Sequence, residues 1–358
     1  EKWTVWTRTI WFGNTKRWSL EGKMKTRRLG RTDAQVSELV FGCGNVGGIM
    51  IRAEEDVMTE AVKKALDSGI NWFDTAAGYG DGKSEENLGR ILKKLDAKPF
   101  VSTKLRIDPE NTDDIPGQIE RKFSESLERL QLDHIDLIQL HNGIEGIDGE
   151  RALSTNNILG RVGAVYGMEC LREQGLVKWI GMTALGDTSL CRRMIESGRL
   201  DTAQVYFNII NPTAAHATPR HSSSQMRKKK STGQDFTGIL HACEEFDVGV
   251  IAIRTLAAGV LATDQRHGRE IIITKGNTVE DDERKAAGAF ALTGDQHGTR
   301  AQTAFRFALS NQKVSCVDFA VADLKQFDEG IQSADMGPLP DEAMTALDQL
   351  YDNDFGVN

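Results

Sequence analysis

Short apolar segments alternate along the chain with longer segments in which apolar and polar residues recur at helical spacing. The apolar segments are rich in β-branched residues, and their near-continuous hydrophobicity is typical of parallel strands that are buried on both faces. They lie at residues 39–43, 70–74, 99–103, 135–140, 177–182, 202–207, 248–254 and 314–321. We therefore predict eight buried parallel strands.

The segments between these strands have the pattern of amphipathic helices. They lie at residues 54–68, 84–95, 114–130, 160–174, 189–197, 233–246 and 299–309. Strands that alternate with helices form right-handed βαβ units and a parallel sheet. Eight such units in about 300 residues favour an α/β fold of the closed (β/α)8 TIM barrel type over an open sheet.

A short polar turn precedes the first barrel strand. Residues 25–28 and 35–37 flank the sequence Leu-Gly-Arg-Thr-Asp, which has the composition of a turn. This pattern predicts an N-terminal β-hairpin, placed where it could close the bottom of the barrel.

A glycine motif after the first strand offers a competing interpretation. Gly42, Gly44 and Gly47 form the pattern G-x-G-x-x-G, which in doubly wound folds opens directly into a dinucleotide-binding helix. Here residues favourable to a helix start only near Glu54. Asp74, the candidate ribose-binding acid, also follows the motif by more than the roughly 20 residues expected. We therefore prefer the barrel.

Composition excludes several classes of protein. The 358 residues include 44 Lys and Arg against 52 Asp and Glu, and the net charge of −8 disfavours a dedicated nucleic-acid binder. No segment approaches the roughly 18 consecutive apolar residues that span a bilayer. The five cysteines include no pair at C-x-x-C spacing, so we expect neither a metal site nor disulfides. We expect a cytoplasmic protein, monomeric or a small homo-oligomer, with no nucleic-acid or membrane partner.

Two segments differ from the barrel pattern. Residues 1–23 hold four of the six tryptophans without helical or strand periodicity, and we expect them to be disordered or not native to the protein. Residues 218–231 form a basic, serine-rich stretch that we interpret as a loop insertion, with a nuclear-import or anionic-surface patch as the alternative. We accordingly expect one barrel domain at residues 24–330 and a C-terminal tail at residues 331–358.

Polar side chains stand at the ends of three consecutive predicted strands. Asp74 ends the second strand, and Tyr79 follows it. Lys104 follows the third strand, and His141 follows the fourth. Taken singly, these residues have ordinary explanations as a helix cap, a packing lid, a solvated charge and a loop histidine. Because the active sites of barrels lie at the C-terminal ends of the strands, their joint placement indicates catalysis.

This combination suits the reduction of a carbonyl group. Hydride transfer to the carbonyl carbon leaves negative charge on oxygen, which must take a proton. Tyr79 can donate that proton, although its ordinary pKa of about 10 makes it a weak acid near neutrality. We expect Lys104, held by an ion pair with Asp74, to lower that pKa. We expect His141 to hydrogen-bond the carbonyl oxygen and to share its charge.

Ordered motifs around these residues carry a family resemblance. They are Phe-Asp-Thr-Ala at residues 73–76, Tyr-Gly at 79–80, Ser-Glu-Glu-Asn-Leu-Gly at 84–89, Lys104, Asp-Leu-Ile-Gln-Leu-His-Asn at 136–142, Gly-Leu-Val-Lys-Trp-Ile-Gly at 175–181 and Gln-Val-Tyr-Phe-Asn at 204–208. From about residue 24 to residue 330 the chain resembles the aldo-keto reductase family. The resemblance implies a TIM-barrel oxidoreductase that uses NAD(P)H to reduce an aldehyde, ketone or sugar carbonyl, or that oxidises the corresponding alcohol. The implied catalytic tetrad is Asp74, Tyr79, Lys104 and His141.

The resemblance also implies how a nicotinamide cofactor, NADP(H) or NAD(H), would be held without a metal. The implied cofactor-binding residues are Gly44, Asn45, Asp74, Thr183, Gln204, Arg254, Leu256, Gly259, Gln326 and Glu329. An alternative function stays open, because some barrels of this family serve as non-catalytic accessory subunits that bind the cofactor. A pseudoenzyme is a further alternative.

Overall fold

The computed structural model describes residues 24–219 and 233–356. The tryptophan-rich segment 1–23 lies outside these ranges, and so do residues 220–231 of the predicted basic insertion. The expectations for both segments therefore stay predictions.

The strands of the described chain form one barrel and two small sheets. In chain order they are β1 (Thr26–Arg28), β2 (Gln35–Ser37), β3 (Leu39–Gly42), β4 (Trp72–Asp74), β5 (Phe100–Leu105), β6 (Ile135–Leu140), β7 (Gly143–Glu145), β8 (Ala152–Ser154), β9 (Val177–Thr183), β10 (Thr202–Tyr206), β11 (Gly249–Ile253) and β12 (Cys316–Phe319). Eight of them close a parallel barrel in the order β3-β4-β5-β6-β9-β10-β11-β12, with β12 paired to β3. The predicted TIM barrel is confirmed, and each of the eight apolar segments supplies one of its strands.

Helices connect the barrel strands. In chain order they are α1 (Ile49–Arg52), α2 (Glu55–Asp67), α3 (Lys83–Lys94), α4 (Ile115–Leu130), α5 (Thr155–Leu159), α6 (Ala164–Glu173), α7 (Thr188–Glu196), α8 (Ile239–Glu245), α9 (Val279–Thr293), α10 (Arg300–Ser310), α11 (Leu324–Met336) and α12 (Asp341–Asp352). The seven predicted helices correspond to α2, α3, α4, α6, α7, α8 and α10.

Element ends differ from the predicted ones for local reasons. β4 begins at Trp72 and not at residue 70, because Ile70 N still donates to Ala65 O at 3.0 Å in the turn that ends α2. α8 begins at Ile239 and not at residue 233, because Gly238 before it has a φ of 86°, which lies outside the helical region.

Sequence reasoning missed the helices α9, α11 and α12. The buried face of α9 includes Asp282 and Lys285, and these polar residues obscure its helical periodicity. α11 runs across the predicted domain boundary at residue 330, and α12 packs against α9. Tertiary packing supplies most of the stability of such helices, so their own sequences indicate them weakly.

The predicted N-terminal hairpin forms and closes one end of the barrel. β1 and β2 pair in antiparallel fashion, and Leu29 and Val36 are fully buried. They pack on inward-facing residues of the barrel strands: Val40, Trp72, Leu137, Ile251 and Cys316. Arg28 also donates two hydrogen bonds of 2.7 Å to the carboxylate of Asp247. The hairpin seals the bottom of the barrel, which leaves the C-terminal ends of the strands for a site.

Leu29→Ala should destabilise the protein by about 2–5 kcal/mol, because it leaves a cavity in the cluster that seals the barrel bottom. Urea unfolding measures the loss. The control is Ile147→Ala, since Ile147 is 80% exposed and its truncation should change the unfolding free energy by about 0.5 kcal/mol or less. Equal stabilities of the two variants would show that the hairpin does not seal the core.

Candidate active site

Asp74 and Lys104 form a buried ion pair at the C-terminal ends of adjacent strands. Asp74 is the last residue of β4, and Lys104 is the penultimate residue of β5. Both side chains are fully buried, and Lys104 Nζ donates to Asp74 Oδ2. A buried charge is costly unless an opposite charge and hydrogen bonds compensate it, so each of these residues requires the other.

Four donors surround the carboxylate of Asp74. Oδ1 accepts from Ser102 Oγ at 2.6 Å and from Gln139 Nε2 at 3.2 Å. Oδ2 accepts from Lys104 Nζ and from Gln204 Nε2, the latter at 3.1 Å. These donors come from β5, β6 and β10. The carboxylate is thus held in one orientation by three other strands of the barrel.

The ammonium group of Lys104 makes three hydrogen bonds inside the site. Besides the bond to Asp74, it donates to the carbonyl oxygen of Thr75 at 2.8 Å and to the phenolic oxygen of Tyr79 at 3.3 Å. Burial lowers the pKa of Lys104 more than any other single factor does, but the charge of Asp74, helped by Tyr79, Asp318 and the hydrogen bond to Asp74, makes the net shift of this pKa upward. Lys104 is therefore a permanent cation at neutral pH.

Tyr79 keeps its proton beside this cation. Because the phenolic oxygen accepts the hydrogen bond from Lys104, the phenolic hydrogen is left for a different acceptor. Burial raises the pKa of Tyr79, and the charge of Lys104 opposes that rise only in part. The net lowering that the sequence led us to expect is wrong, because the sequence does not reveal how strongly burial disfavours the phenolate. A phenol that is neutral at pH 7 is the form that can donate a proton.

His141 completes the group directly after β6. Its ring stands edge-on to the ring of Tyr79, with centroids 5.8 Å apart and an interplanar angle of 88°. Burial, followed by the charge of Lys104 and of two nearby arginines, lowers the pKa of His141 well below its ordinary value. The imidazole is therefore neutral at pH 7, and one of its ring nitrogens carries a hydrogen that can be donated. The structure brings together all four residues that the sequence placed in a catalytic tetrad.

Ser102 and Gln139 support the tetrad, although sequence reasoning missed them. Trp72 Nε1 donates to Ser102 Oγ at 2.9 Å, and Ser102 Oγ in turn donates to Asp74 Oδ1. The signal that could have found these residues is their polarity, because both lie inside strands that are almost wholly buried. A polar residue in such a strand needs a buried partner.

Asp318 is a second carboxylate in the barrel wall that sequence reasoning missed. It lies in β12 against the neighbouring strand β3, where a Cβ added to Gly42 would be 2.2 Å from Asp318 Oδ1. That oxygen is buried and has no hydrogen-bond partner in the described ranges. Burial raises the pKa of Asp318 well above its ordinary value, with the charge of Asp74 acting in the same direction and Lys104 opposing it.

Comparison with known proteins decides the family. The model of the aldo/keto reductase family matches residues 38–352, a span that contains the barrel and all four tetrad residues. The chain belongs to the aldo/keto reductase family. The predicted family is confirmed.

Individual relatives of this aldo/keto reductase are distant. L-galactose dehydrogenase of Arabidopsis thaliana is 32% identical over 166 residues, which are 46% of this chain and 49%, about half, of that protein. D-threo-aldose 1-dehydrogenase of a Pseudomonas species is 30% identical over 263 residues, which are 65% of this chain and 70% of the relative. An aldo-keto reductase of Bacillus halodurans, solved in its holo form, matches with a TM-score of 0.68 at 20% identity, covering 91% of this chain and 96% of the other. That likeness supports the fold alone.

The predicted cofactor residues of this aldo/keto reductase begin in the loop after β3. Gly44 lies beside the tetrad, since a Cβ added there would be 3.7 Å from the ring of Tyr79. Asn45 Oδ1 accepts from Gly80 N at 3.0 Å. This bond holds the loop after β3 against the loop that follows Tyr79.

Thr183 and Gln204 are buried on adjacent strands and contact each other. Thr183 Oγ1 donates to Gln204 Oε1 at 3.4 Å, and Gln204 Nε2 donates to Asp74. Both ends of the Gln204 amide are therefore engaged within the protein. Gln139, which shares the Asp74 carboxylate with Gln204, has a buried Oε1 without a hydrogen-bond partner in the part of the chain that the structure describes.

Arg254, Leu256 and Gly259 lie in the loop after β11. Arg254 and Gly259 have φ values of 59° and 104°, in the left-handed region, and Asn208 Nδ2 anchors the loop by donating to Arg254 O at 2.9 Å. The guanidinium group of Arg254 donates to Ile271 O at 3.0 Å. It forms no ion pair with a carboxylate of residues 24–219 or 233–356.

Gln326 and Glu329 lie on α11, and the structure does not bring them to the tetrad. Gln326 is exposed, and its Oε1 accepts from Ala322 N at 2.9 Å, just before the helix. The carbonyl oxygen of Glu329 accepts from Gln302 of α10 at 3.3 Å. Their recorded contacts are thus local to α10 and the start of α11.

The remaining donors of the mouth fit a dinucleotide. Arg52 donates to the carbonyl oxygens of Asn45 and Gly47 at 2.9 and 2.8 Å, and burial, followed by the charge of Arg269, lowers its pKa. Like Arg254, neither Arg52 nor Arg269 is ion-paired with a carboxylate of the described residues, and uncompensated guanidinium groups suit a pyrophosphate. The unpartnered amide oxygen of Gln139 suits the amide hydrogens of a carboxamide.

Two features are absent from the described residues. They contain no cluster of three or more His, Cys, Asp or Glu side chains that could hold a metal ion. None of their helices is both long and apolar enough to cross a membrane.

Removing one charge of the buried pair should destabilise the protein more than removing both. Lys104→Met leaves Asp74 buried without its counter-charge, which typically costs about 3–5 kcal/mol. Combining Lys104→Met with Asp74→Asn removes the uncompensated charge, so we expect most of the loss to be recovered. Unfolding free energies in urea at neutral pH measure both effects. Equal stabilities of the single and double variants would contradict the ion pair.

Asp318→Asn should make stability less sensitive to pH. Since the pKa of Asp318 is raised in the folded state above its unfolded value of about 4, the folded protein keeps a proton that the unfolded chain has lost. The stabilising contribution of protonated Asp318 is therefore lost as the pH rises above about 4, and the variant does not lose it. We expect the stability of the variant relative to wild type to increase as the pH rises above about 4 and to be constant below that pH.

Urea unfolding at a series of pH values tests this prediction. The control is Asp335→Asn, because Asp335 is exposed on α11 and should show no such trend. A stability difference between wild type and Asp318→Asn that is the same at every pH would contradict it.

Proposed function

We propose that the protein is an NAD(P)H-dependent oxidoreductase that reduces an aldehyde, ketone or sugar carbonyl, or oxidises the corresponding alcohol. One observation carries the proposal: the hydrogen bond of 3.3 Å from Lys104 Nζ to the hydroxyl of Tyr79, at the end of a network anchored on buried Asp74. This bond places a protonated phenol against a permanent cation.

Tyr79 is the proton donor of the proposed reaction. As negative charge develops on the carbonyl oxygen of the substrate, the free phenolic hydrogen moves to that oxygen and leaves a phenolate. Lys104 stabilises the phenolate through a hydrogen bond that exists before the reaction starts. Asp74 holds Lys104 in place, so little reorganisation is needed. In the direction of alcohol oxidation the phenolate takes the proton back.

His141 orients the carbonyl group in this proposal. A neutral imidazole donates a hydrogen bond without delivering a full positive charge. Its edge-on contact with the ring of Tyr79 places both donors around one position, where a carbonyl oxygen can be bound. The hydrogen bond from His141 becomes stronger as the carbonyl oxygen becomes negative, and this lowers the activation barrier of the reduction.

NAD(P)H supplies, when bound, the hydride that the carbonyl carbon receives. We propose that Thr183, Gln204 and Gln139 hold the nicotinamide carboxamide and that Gly44, Asn45 and Asp74 border the adjoining ribose. The proposed pyrophosphate contacts are Arg254, Leu256 and Gly259, with Arg52 and Arg269 as additional cations, and Gln326 and Glu329 border the adenosine. Either NADP(H) or NAD(H) is compatible with this set.

The names of two relatives support a sugar among the candidate substrates. L-galactose dehydrogenase and D-threo-aldose 1-dehydrogenase are both named for aldoses, whose reactive carbon is a carbonyl or its hemiacetal. We therefore propose that aldoses belong in the first substrate panel, together with simple aldehydes and ketones.

Tyr79→Phe should lower kcat with the best carbonyl substrate by about 100- to 10,000-fold, the usual contribution of a general acid. NADPH or NADH binding, followed by nicotinamide fluorescence, should be retained, because the phenyl ring stays in place. The matched control is Tyr166→Phe, since Tyr166 is 41% exposed and outside the tetrad. A Tyr79→Phe variant with the wild-type rate would remove Tyr79 from the mechanism.

A non-catalytic barrel gives a different result in the same assay. It would bind NADPH or NADH tightly and yet fail to oxidise either cofactor with any member of the carbonyl panel. The complete tetrad argues for turnover.

A further inference from the structure

Two arginines, Arg106 and Arg151, contact the segment that carries His141. Arg106 is the first residue after β5, and its Nε donates to the carbonyl oxygen of His141 at 3.3 Å. Arg151 directly precedes β8, and its carbonyl oxygen accepts from Gly143 N at 2.8 Å, two residues beyond His141. The side chain of Arg106 and the backbone of Arg151 are therefore both attached to the segment that carries the histidine.

Neither guanidinium group has a counter-charge. Arg106 and Arg151 are both exposed, and neither forms an ion pair within residues 24–219 and 233–356. Other arginines with access to solvent do pair with acids, for example Arg199 with Glu169. The two cations at His141 thus differ from arginines that serve to brace the fold.

Acidic residues of the same segment are engaged elsewhere. Glu145 forms an ion pair of 2.6 Å with Lys275. The Asp148 carboxylate accepts from Ser154 N and from Asn157 Nδ2, each at 2.7 Å. Glu150 precedes Arg151 in sequence but forms no ion pair with it in the described chain. The loop that contains Glu145, Asp148 and Glu150 therefore provides no ion-pair partner for Arg151 in the described chain.

The two cations act on each other and on the histidine. Partial burial lowers the pKa of Arg106, and the charge of Arg151 lowers it further. Both charges also help to lower the pKa of His141. An anion bound by two guanidinium groups would reduce the repulsion between them and would accept charge-assisted hydrogen bonds from both.

We propose that Arg106 and Arg151 bind an anionic group, a carboxylate or a phosphate ester, that the substrate carries close to its reactive carbonyl. This inference rests on the proposed carbonyl chemistry at Tyr79 and His141, and it adds the charge of the substrate. The preferred substrates are then aldehyde or keto acids, or phosphorylated aldoses. Arg106 and Arg151 are specificity-determining residues and take no part in proton transfer.

Matched pairs of substrates test the proposal with the whole chain. The pairs are D-glucuronate with D-glucose, succinic semialdehyde with butanal, and glyceraldehyde 3-phosphate with glyceraldehyde. We expect kcat/KM to favour the anionic member of at least one pair by about 10-fold or more, mainly through KM, as a charge-assisted hydrogen bond would give. The first two pairs test whether the protein prefers a substrate with a carboxylate, and the third pair tests whether it prefers a substrate with a phosphate ester. The preference should shrink as salt is raised.

Three variants complete the experiment. Arg106→Gln and Arg151→Gln should each lower the ratio of kcat/KM for the anionic over the neutral member by about 10-fold. Arg121→Gln on α4, where Arg121 is exposed, removes the same charge away from the mouth and should leave the ratio unchanged. A ratio near one in every pair, or a ratio that neither mouth variant lowers, overturns the proposal.

The same data separate this inference from the proposed function. If the wild type turns over neutral carbonyls and Tyr79→Phe abolishes that turnover, the function stands even when no anionic preference exists. If no carbonyl of either kind is turned over, the proposed function itself fails.

Discussion

The buried ion pair between Asp74 and Lys104 is the interaction on which the rest of the site depends. Two charges taken out of water persist only with compensation, and here the carboxylate is held by Ser102, Gln139 and Gln204 as well. Four strands must therefore close into one barrel before the pair is stable. Its consequence is local: a permanent cation remains against the oxygen of a buried phenol, which stays protonated and has its hydrogen available.

Barrel topology explains why these residues meet. Parallel strands bring their C-terminal ends to one rim, and the N-terminal hairpin occupies the other end, so ligands have access from one side only. The rim is not uniform in charge. Arg52, Arg254 and Arg269 lie on the loops proposed to hold a dinucleotide, whereas Arg106 and Arg151 lie beside His141. In our proposal this division places an anionic cofactor and an anionic substrate at separate parts of one mouth.

Much of this architecture could be predicted from residue patterns. Continuous apolar segments indicated all eight barrel strands, because strands covered on both faces carry little else, and the chemistry at their ends indicated the tetrad. The helix α9 was missed because Asp282 and Lys285 lie on its buried face. Ser102 and Gln139 were missed because their partner Asp74 lies on a different strand, and Asp318 was missed because the sequence does not show that β12 pairs with β3. The direction of the pKa shift of Tyr79 depends on burial, which a motif does not state.

The ionisation of Tyr79 tests the central claim most directly. The chain has four tyrosines, so labelling tyrosine with ¹³C at Cζ gives a simple NMR spectrum in which Tyr79→Phe identifies the resonance. Our account predicts that Tyr79 ionises at a higher pH than an ordinary tyrosine, so that it is less than half ionised at a pH of about 10. A phenolate signal for Tyr79 between about pH 7 and pH 8 would contradict it, because the residue would then have no proton to donate near neutrality.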